Sequence, residues 1–481
     1  MSPLPEPLAH VHLIAIGGTG MGALAGLLHA RGVRVTGSDR ALYPPMSDAL
    51  AHWGIPVAIG FAAANVLSPR PDLVVIGNAV RDDNSEALAV FEAGIPYRSF
   101  PDALYELAMT GRHSVVVSGT HGKTTTTSLL GALLVETGRD PSVLVGGVAL
   151  DFDGPFREGA GPHFVVEGDE YDTAFFDKTP KFWHYHPQTL MIGSVEFDHA
   201  DIYRDLDHVK DAFRTLVRAM PPHGTIVAAL DDENVCDVLD GAPCKVLGYG
   251  VGDGEHGIRA VDLEAGPAGT AFRVLRDENE VARAVVPLYG RHNVANALGA
   301  LATAVALGVP VQRAATALER FRGVRRRQEV RGEVRGVTVL DDFAHHPTAV
   351  RETVAAMRIR YPGRRLVAVL EPRSNTSRRA IFQHDFADSL AGADCVVVSI
   401  VPPAPLYSVT GEVTEYLDAE RIAAELRARG VEAAAIDSVP AIVEHLATHA
   451  RPDDVVLVMS NGDFGGLWAK LLERLAASRA S

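Results

Sequence analysis

The sequence predicts an α/β protein of three domains, each built around a mostly parallel sheet. Short β-branched runs repeatedly end in a glycine-rich or polar turn that leads into a helical pattern, which is typical of parallel sheets. The 481 residues are enough for about three domains of roughly 150 residues each. Neither an internal repeat nor a low-complexity linker separates the blocks, so we expect the domains to abut and to enclose a cleft.

The first predicted domain covers residues 1–110 and begins with a strand at residues 11–16. A glycine-rich loop follows and opens a helix, the arrangement that binds diphosphates in Rossmann-like domains. Asp39 ends the next predicted strand, where its carboxylate can accept hydrogen bonds from a ribose or a base. A nicotinamide dinucleotide and a nucleotide-diphosphate sugar both fit this pattern, and tight packing of small residues is a third interpretation.

The second predicted domain covers residues 111–325 and opens with a strand at 114–117 and a loop rich in glycine and threonine. Its residues are Gly119, Thr120, His121, Gly122, Lys123, Thr124 and Thr125. Glycines let backbone N–H groups approach phosphates, a lysine reaches the outer phosphates, and a threonine hydroxyl can ligate Mg²⁺. The loop is shorter than the standard P-loop, but its position between a strand and a helix predicts an ATPase-type domain that binds a nucleoside triphosphate.

Acidic residues follow two further predicted strands of this domain. Glu167 ends the run 163–166, and the string 196–201 contains Glu196, Asp198 and His199. Carboxylates close to a phosphate loop would repel the polyphosphate unless a cation lay between them, so the sequence predicts a Mg²⁺ site. Residues 250–284 are expected to be antiparallel, and residues 293–307 are expected to form a helix that Asn293 either caps or uses to contact adenine.

The third predicted domain covers residues 326–481 and is expected to be Rossmann-like, with strands at 337–340, 366–370, 396–399 and 455–458. Polar loops follow these strands. One loop holds the adjacent residues His345 and His346, and another holds Arg373. Because an arginine fork matches a carboxylate, Arg373 is a candidate clamp for a substrate carboxylate, with a helix cap or a pair with Glu371 as the structural alternative.

Composition excludes several other classes of protein. The chain has 45 Lys+Arg against 60 Asp+Glu and a net charge of -15, which disfavours binding to nucleic acid or to an anionic membrane. The three cysteines form no CxxC pair and suit a reducing compartment. We find no signal-peptide pattern and no apolar run near the roughly 20 residues that span a bilayer. A cytoplasmic protein without an obligate protein partner is expected.

Together the motifs resemble the Mur ligase superfamily over essentially the whole chain. Four strings occur in the family's order: Gly119–Thr125, Glu196-x-Asp198-His199-x-Asp201, Gly290-x-His292-Asn293-x-x-Asn296 and Asp341-Asp342-x-Ala344-His345-His346-Pro347. The resemblance implies an ATP-dependent ligase that uses ATP and Mg²⁺ and forms an amide bond through an acyl phosphate. An NAD(P)-dependent oxidoreductase and a nucleotide-binding regulatory module are the alternatives from other classes.

The resemblance also implies a role for particular residues. The catalytic residues would be Lys123, Glu167 and His199, and Mg²⁺ would be held by Thr124, Glu167 and His199. ATP would be bound by the loop Gly119–Thr125 together with His292, Asn293, Asn296, Arg327 and Asp342. The UDP-sugar would be bound by Gly18, Thr19, Gly20, Met21, Asp39 and Asn78. The peptide would be bound by His346, Arg373 and Asn375.

Four shorter strings resemble one branch of the superfamily, at residues 43–47, 175–178, 371–376 and 459–462. That branch joins UDP-N-acetylmuramate to the murein tripeptide L-alanyl-γ-D-glutamyl-meso-diaminopimelate, both small-molecule substrates, in peptidoglycan recycling. The alternative branch joins UDP-N-acetylmuramate to L-alanine. Two departures from the family pattern are Ser194, where an asparagine is usual, and Phe213, near the place where several relatives carry a carbamoylated lysine.

Overall fold

Three separate sheets organise the chain, in the order that the sequence predicts. The computed structural model describes residues 4, 7–152, 154–254, 257–402, 406, 408, 411 and 413–477. The sheets have five, ten and six strands, and a separate two-stranded hairpin accompanies the second sheet. None of the described helices combines the length and apolar character needed to cross a membrane.

The first sheet has the strand order β3-β2-β1-β4-β5, and all of its strands are parallel. Its elements are β1 (His10–Ile14), α1 (Thr19–Ala30), β2 (Arg34–Asp39), α2 (Met46–His52), β3 (Val57–Ile59), α3 (Ala64–Leu67), β4 (Leu73–Ile76), α4 (Ser85–Glu92), β5 (Tyr97–Ser99) and α5 (Phe100–Leu104), followed by a π-helical turn at Tyr105–Met109. This is the doubly wound topology in which ligands bind at the carboxyl ends of the strands.

The second sheet has the order β17-β16-β15-β14-β13-β12-β6-β9-β7-β8, parallel from β15 to β7 and antiparallel at both ends. Its first elements are β6 (His113–Ser118), α6 (Lys123–Glu136), β7 (Ser142–Ala149), β8 (Gly154–Arg157), β9 (His163–Gly168), the hairpin β10 (Asp172–Ala174) and β11 (Asp177–Pro180), a 3₁₀ turn (Lys181–Tyr185) and β12 (Thr189–Ile192). Its later elements are α7 (Leu206–Arg218), β13 (Thr225–Ala229), α8 (Glu233–Val238), β14 (Lys245–Val251), β15 (Ile258–Gly266), β16 (Gly269–Arg276), β17 (Asn279–Val286), α9 (Arg291–Ala306) and α10 (Val311–Leu318).

The third sheet has the order β18-β19-β23-β20-β21-β22, with only β18 antiparallel. Its elements are β18 (Glu329–Val334), β19 (Val337–Asp342), α11 (Pro347–Arg360), β20 (Leu366–Leu370), a 3₁₀ turn (Ala380–Phe382), α12 (Gln383–Leu390), β21 (Cys395–Ser399), α13 (Ala419–Ala428), β22 (Glu432–Ile436), α14 (Val439–His449), β23 (Val455–Met459), a 3₁₀ turn (Phe464–Gly466) and α15 (Leu467–Ala477).

The continuous apolar runs in the sequence become strands that are buried on both faces. In β6, Val116 packs into one core while Val115 and Val117 pack into the other. The third sheet is covered on both faces in the same way. Parallel strands between two helical layers need apolar residues at every position, which explains why these runs do not alternate with polar residues.

The joint between the first and second sheets is tightly packed. Helix α1 passes so close to β8 that a side chain at Gly26 would meet the rings of Phe156 and Trp53. Glu158, just after β8, accepts hydrogen bonds from Arg31 at the end of α1 and from Arg112 before β6. The second and third sheets are linked through their loops, by hydrogen bonds from the Thr348 hydroxyl to Glu196 and from the Ala200 backbone N–H to the Thr376 hydroxyl.

Candidate active site

A cavity of about 810 Å³ lies between the second and third sheets. The loops after β6, β9 and β12 form one wall, and the loop from β19 to α11 forms another. Thirteen of the predicted residues line it: Thr120, His121, Gly122, Lys123, Thr124, Thr125, Glu167, His199, His292, Asn293, Asn296, Arg327 and Asp342. The structure therefore brings the predicted ATP and metal residues together, with Gly119 just behind them at the start of the loop.

Two glycines shape the phosphate loop. Gly119 and Gly122 have φ values of 141° and 78°, which side chains rarely allow. A Cβ on Gly122 would also lie 2.3 Å from Oδ1 of Asn296 in α9. The loop can adopt this shape because both positions lack a side chain, and α6 then begins at Lys123 with its free backbone N–H groups next to the cavity.

Lys123 is held inside the loop by three hydrogen bonds. Its Nζ donates to the carbonyls of Gly119 and Thr120 at 2.6 and 3.3 Å and to Oε2 of Glu170 at 2.8 Å. Burial lowers the pKa of Lys123, but the carboxylates of Glu170 and Asp169 outweigh it and the net pKa is raised. The side chain is therefore a fixed cation at the end of the loop.

Glu167 lies beside the first threonine of α6. Thr124 Oγ1 donates to Oε2 of Glu167 at 3.0 Å, and the Gly146 backbone N–H donates to the other carboxylate oxygen. Burial and the neighbouring Asp169 raise the pKa of Glu167 to about 7. A group at this position that bears positive charge would stabilise the carboxylate form.

Glu170 was not singled out by the sequence analysis, although it connects two of the predicted catalytic residues. Besides Lys123 it faces His199, whose Nε2 lies 3.6 Å from Oε1 of Glu170. That oxygen is buried and has no hydrogen-bond partner among the described residues. Oxygen ligands suit Mg²⁺, so Thr124 and Glu167, whose oxygens lie 3.0 Å apart, fit such an ion. The unpartnered Glu170 oxygen faces His199, the third predicted ligand.

The predicted adenine side of the cavity is made by the start of α9 and by the third sheet. Asn293 Nδ2 donates to the Tyr289 carbonyl at 2.9 Å, and Asn296 Nδ2 donates to Oδ1 of Asn293 at 3.2 Å. Asn296 also lies against the phosphate loop, since a Cβ on Gly122 would be 2.3 Å from its Oδ1. The adenine role of these amides stays a prediction.

Two third-domain residues complete this wall. The guanidinium of Arg327 lies 4.4 Å from the centre of the Phe343 ring, and burial lowers its pKa. Asp342 accepts hydrogen bonds from the backbone N–H groups of Gln328 and Ala344, each at 2.8 Å. A partly buried arginine over an aromatic ring is a suitable partner for a phosphate group.

The three predicted peptide residues lie beyond the cavity lining. His346 is buried and caps α11 by accepting the Thr348 backbone N–H at 3.3 Å. Arg373 is exposed and lies against Gly462, the neighbour of the cavity residue Asn461. Asn375 is partly buried in the same loop as Arg373. The structure places Arg373 at the rim of the cavity, and the peptide role of these residues stays a prediction.

The predicted sugar-nucleotide loop is a separate feature at the carboxyl end of the first sheet. The Gly17 backbone N–H donates to Oδ2 of Asp39 at 2.7 Å. Helix α1 starts at Thr19, and no side chain caps its free N–H groups. Asn78, just after β4, donates its Nδ2 to the Asp172 carbonyl at 3.1 Å. None of the six predicted residues lines the main cavity.

Three family models match successive parts of the chain. They are the Mur ligase family catalytic domain at residues 10–112, the Mur ligase middle domain at 117–304 and the Mur ligase glutamate ligase domain at 326–462. The chain belongs to the Mur ligase family, whose members are ATP-dependent ligases that form amide bonds. The resemblance predicted from the motifs is therefore confirmed, as is the three-part α/β fold.

Individual relatives match over nearly the whole chain. The UDP-N-acetylmuramate–L-alanyl-γ-D-glutamyl-meso-2,6-diaminoheptandioate ligase of Escherichia coli is 42% identical, over 97% of this chain and 98% of its own. A UDP-N-acetylmuramate–L-alanine ligase of Acetivibrio thermocellus is 32% identical, over 95% and 94%. The crystal structure of a murein peptide ligase from Psychrobacter arcticus is 36% identical with a TM-score of 0.75, covering 98% of this chain and 100% of that one.

Proposed function

We propose that this enzyme uses ATP to join the carboxylate of UDP-N-acetylmuramate to the amine of L-alanyl-γ-D-glutamyl-meso-diaminopimelate. The main support for this proposal is the 42% identity, over 97% of the chain, to the Escherichia coli ligase named for these two substrates. The phosphate loop, facing a third domain across one cavity, supplies the geometry that such a reaction needs. The product would be an amide formed in peptidoglycan recycling.

The chemistry proceeds through an acyl phosphate because a carboxylate cannot expel hydroxide readily. Lys123 and the N–H groups at the start of α6 hold the outer phosphates, so that charge on the transferred phosphoryl group is stabilised as it develops. Arg327 approaches the phosphates from the opposite wall. A Mg²⁺ ion bound by Thr124, Glu167 and His199 would neutralise phosphate charge. Together the side chains of the cavity orient the two reactants and exclude water.

The two remaining substrates are assigned to opposite ends of the molecule. The UDP group is bound at the free N-terminus of α1, with Asp39 near the ribose, and the muramate extends from there toward the phosphate loop. The peptide enters from the third domain, past Arg373. We further propose domain boundaries near residues 110 and 325, in the segments between the sheets.

One assay tests the reaction. Enzyme, ATP, Mg²⁺ and UDP-N-acetylmuramate are incubated with the tripeptide, with L-alanine, or with neither, and products are identified by mass spectrometry. We expect phosphate release and the tripeptide amide only when carboxylate and amine are both present. Preferential coupling of L-alanine would replace the proposed acceptor. Absence of both amides, or oxidation of NAD(P)H by the enzyme, would contradict the proposal as a whole.

A matched substitution tests the assignment of the acceptor site. Arg373→Lys keeps the charge but loses the planar fork that binds a carboxylate through two hydrogen bonds. We expect the KM for tripeptide to rise about tenfold, the effect of losing roughly 1.4 kcal/mol of binding, while the KM for ATP is nearly unchanged. Equal effects on both substrates would place Arg373 in the nucleotide site.

A further inference from the structure

His121, the third residue of the phosphate loop, meets the third domain through a cluster of histidine and carboxylate side chains. Its ring centre is 4.6 Å from that of His346, and its Nε2 is 3.5 Å from Oε2 of Glu196. Thr348, at the start of α11, fixes the same oxygen by donating its hydroxyl at 2.7 Å. The cluster thus joins the loop after β6, the loop after β12 and the first turn of α11.

The two ring nitrogens of His121 have different surroundings. Nε2 is buried and has no hydrogen-bond partner in the described part of the chain, although the Glu196 carboxylate faces it. Nδ1 makes no hydrogen bond to a described residue, and His121 lines the cavity with 22% of its side chain exposed. One nitrogen therefore faces a carboxylate, and the other is open to whatever occupies the cavity.

The charge on Glu196 suits this arrangement. Burial raises the pKa of Glu196, but the neighbouring His121 imidazole and the Thr348 hydroxyl outweigh it and hold the pKa at about 2. The other titratable groups that face His121 are His345 and His346, both from the loop before α11, and burial lowers the pKa of each. The cluster consequently offers His121 one negative partner and two neutral ones.

His346 is less suited to take a proton, because both of its ring nitrogens are engaged. Its Nε2 contacts the Phe197 carbonyl at 3.2 Å, and its Nδ1 accepts the Thr348 backbone N–H at 3.3 Å. His345 is also engaged, through Nδ1 and the Phe343 carbonyl at 3.0 Å. Of the three histidines, only His121 combines a carboxylate partner with a nitrogen open to the cavity.

We propose that His121 is the general base for the attacking amine and that Glu196 is its positioning residue. This inference rests on the proposed function. The amine nitrogen bonds to the acyl carbon, the carbon–oxygen bond to phosphate breaks, and phosphate leaves with the bonding pair. The proton lost by the nitrogen passes to Nδ1 of His121, and the resulting imidazolium is stabilised by the Glu196 carboxylate.

The location is the one where the two reactants must meet. The acyl phosphate forms at the outer end of the phosphate loop, and the amine must approach its carbon to about 3–3.5 Å. The third domain, which carries the proposed peptide site, contacts the phosphate loop at the pair His121 and His346. A base at this junction reaches the amine without moving the phosphates.

Hydroxylamine can be used to measure formation of the acyl phosphate independently of proton removal from the amine. It is unprotonated at neutral pH and attacks acyl phosphates without needing a base, so it traps the intermediate as a hydroxamate. In His121→Ala, we expect the rate ratio of tripeptide coupling to hydroxamate formation to fall by about 10²–10⁴-fold. Glu196→Gln should lower the same ratio by a smaller factor, and added imidazole should partly restore coupling in His121→Ala.

His292→Ala is the matched control. His292 lines the same cavity and also has a carboxylate neighbour, with its Nδ1 3.6 Å from Oε2 of Glu352. It lies on the proposed ATP side, so both reactions should fall together and the ratio should stay constant. An unchanged ratio in His121→Ala, or an equal fall in His292→Ala, would overturn the assignment.

Two further outcomes are informative. If the wild-type enzyme forms no hydroxamate from UDP-N-acetylmuramate and ATP, the proposed function itself fails. The ligand atoms of His121, Glu196 and His346 lie within 4.8 Å of one another, so these groups could instead hold a cation. Stoichiometric Zn²⁺ or Mn²⁺ bound without nucleotide by the wild type, and lost in His121→Ala, would overturn the general-base role in favour of a metal site.

Discussion

Lys123 has a second role besides its predicted contact with phosphate, because in this structure it neutralises Glu170. The lysine side chain is 12% exposed and the glutamate 2%. Removing one partner of a buried pair leaves the other charge uncompensated. The proposed contact with ATP requires the lysine to exchange Glu170 for phosphate oxygens.

We predict that Lys123→Met abolishes turnover and lowers the free energy of unfolding by about 3 kcal/mol. The double variant Lys123→Met/Glu170→Gln should recover part of that stability, because the uncompensated carboxylate is gone. It should recover no activity, because Lys123 is still missing. Urea titrations of the ligand-free proteins measure the free energy of unfolding, and phosphate release measures turnover. Full stability of the single variant would show that the pair is already solvated.

His346 should make the stability depend on pH. Burial and the charge of His121 lower its pKa from 6.5 to about 4. The unfolded chain therefore binds a proton near pH 6.5, whereas the folded protein does so only near pH 4. We predict that the free energy of unfolding falls as the pH drops through this window, by at most about 1.4 kcal/mol per pH unit from this group.

The variant His346→Asn isolates that contribution. Asparagine can still cap α11 through its side-chain oxygen, but it does not titrate. Urea unfolding at several pH values from 4 to 7 should give a shallower slope for the variant than for the wild type. His345 has a lowered pKa as well and is present in both proteins, so it does not contribute to the difference. Equal slopes would contradict the assignment.

At the scale of elements, the contact between α6 and α9 depends on Gly122. We predict that Gly122→Ala costs about 1–2 kcal/mol of stability for its positive φ, and more because its Cβ would strike Asn296. ATP affinity should fall sharply, because relieving that contact displaces the phosphate loop. Calorimetric titration with ATP and thermal unfolding measure the two effects.

Gly138, at the other end of α6, is the control for this substitution. Its φ is 80°, close to that of Gly122, but a Cβ there would meet nothing within 4 Å. Gly138→Ala should therefore lower the stability only by the cost of its positive φ, and it should bind ATP normally. If both alanine variants bind ATP equally well, the shape of the phosphate loop does not depend on the contact with Asn296.

The sequence predicted the elements better than the contacts between them. The strand 366–370 is found at the predicted residues, and the antiparallel stretch is present as β15 to β17, because apolar runs and turn residues are local signals. The pairing of Lys123 with Glu170 spans 47 residues and depends on β9 lying next to β6. Sheet order is set by packing of the whole domain, which no local pattern records.

The hairpin β10–β11 and the short strands β3, β5 and β8 were also not predicted. Each has three or four residues, too few to show a periodic pattern. In the site, the phosphate loop was predicted because its glycines and lysine are consecutive. The roles of Glu170 and Glu196 could not be assigned, since acidic residues at strand ends are common and only their neighbours in space distinguish them.

At the scale of the whole molecule, a ligand of the first domain should stabilise more than that domain, because α1 packs against the second sheet. We predict that UDP-N-acetylmuramate raises the thermal unfolding temperature by several degrees, whereas NADH does not. Saturation at 100 times the dissociation constant adds about 2.7 kcal/mol to a protein that binds only when folded. Differential scanning fluorimetry with each ligand measures this, and protection by NADH alone would favour a dinucleotide site.

The main cavity is bounded by two sheets that have separate cores. Its width is therefore a property of how the two cores are placed, and a residue need not touch a ligand to alter it. Substitutions at a contact between the two walls, such as the hydrogen bond from the Ala200 backbone N–H to Oγ1 of Thr376, would tilt one wall against the other. Evolution can thus tune substrate affinity, and resistance to a cavity-filling inhibitor can arise, at positions that a list of binding residues would omit.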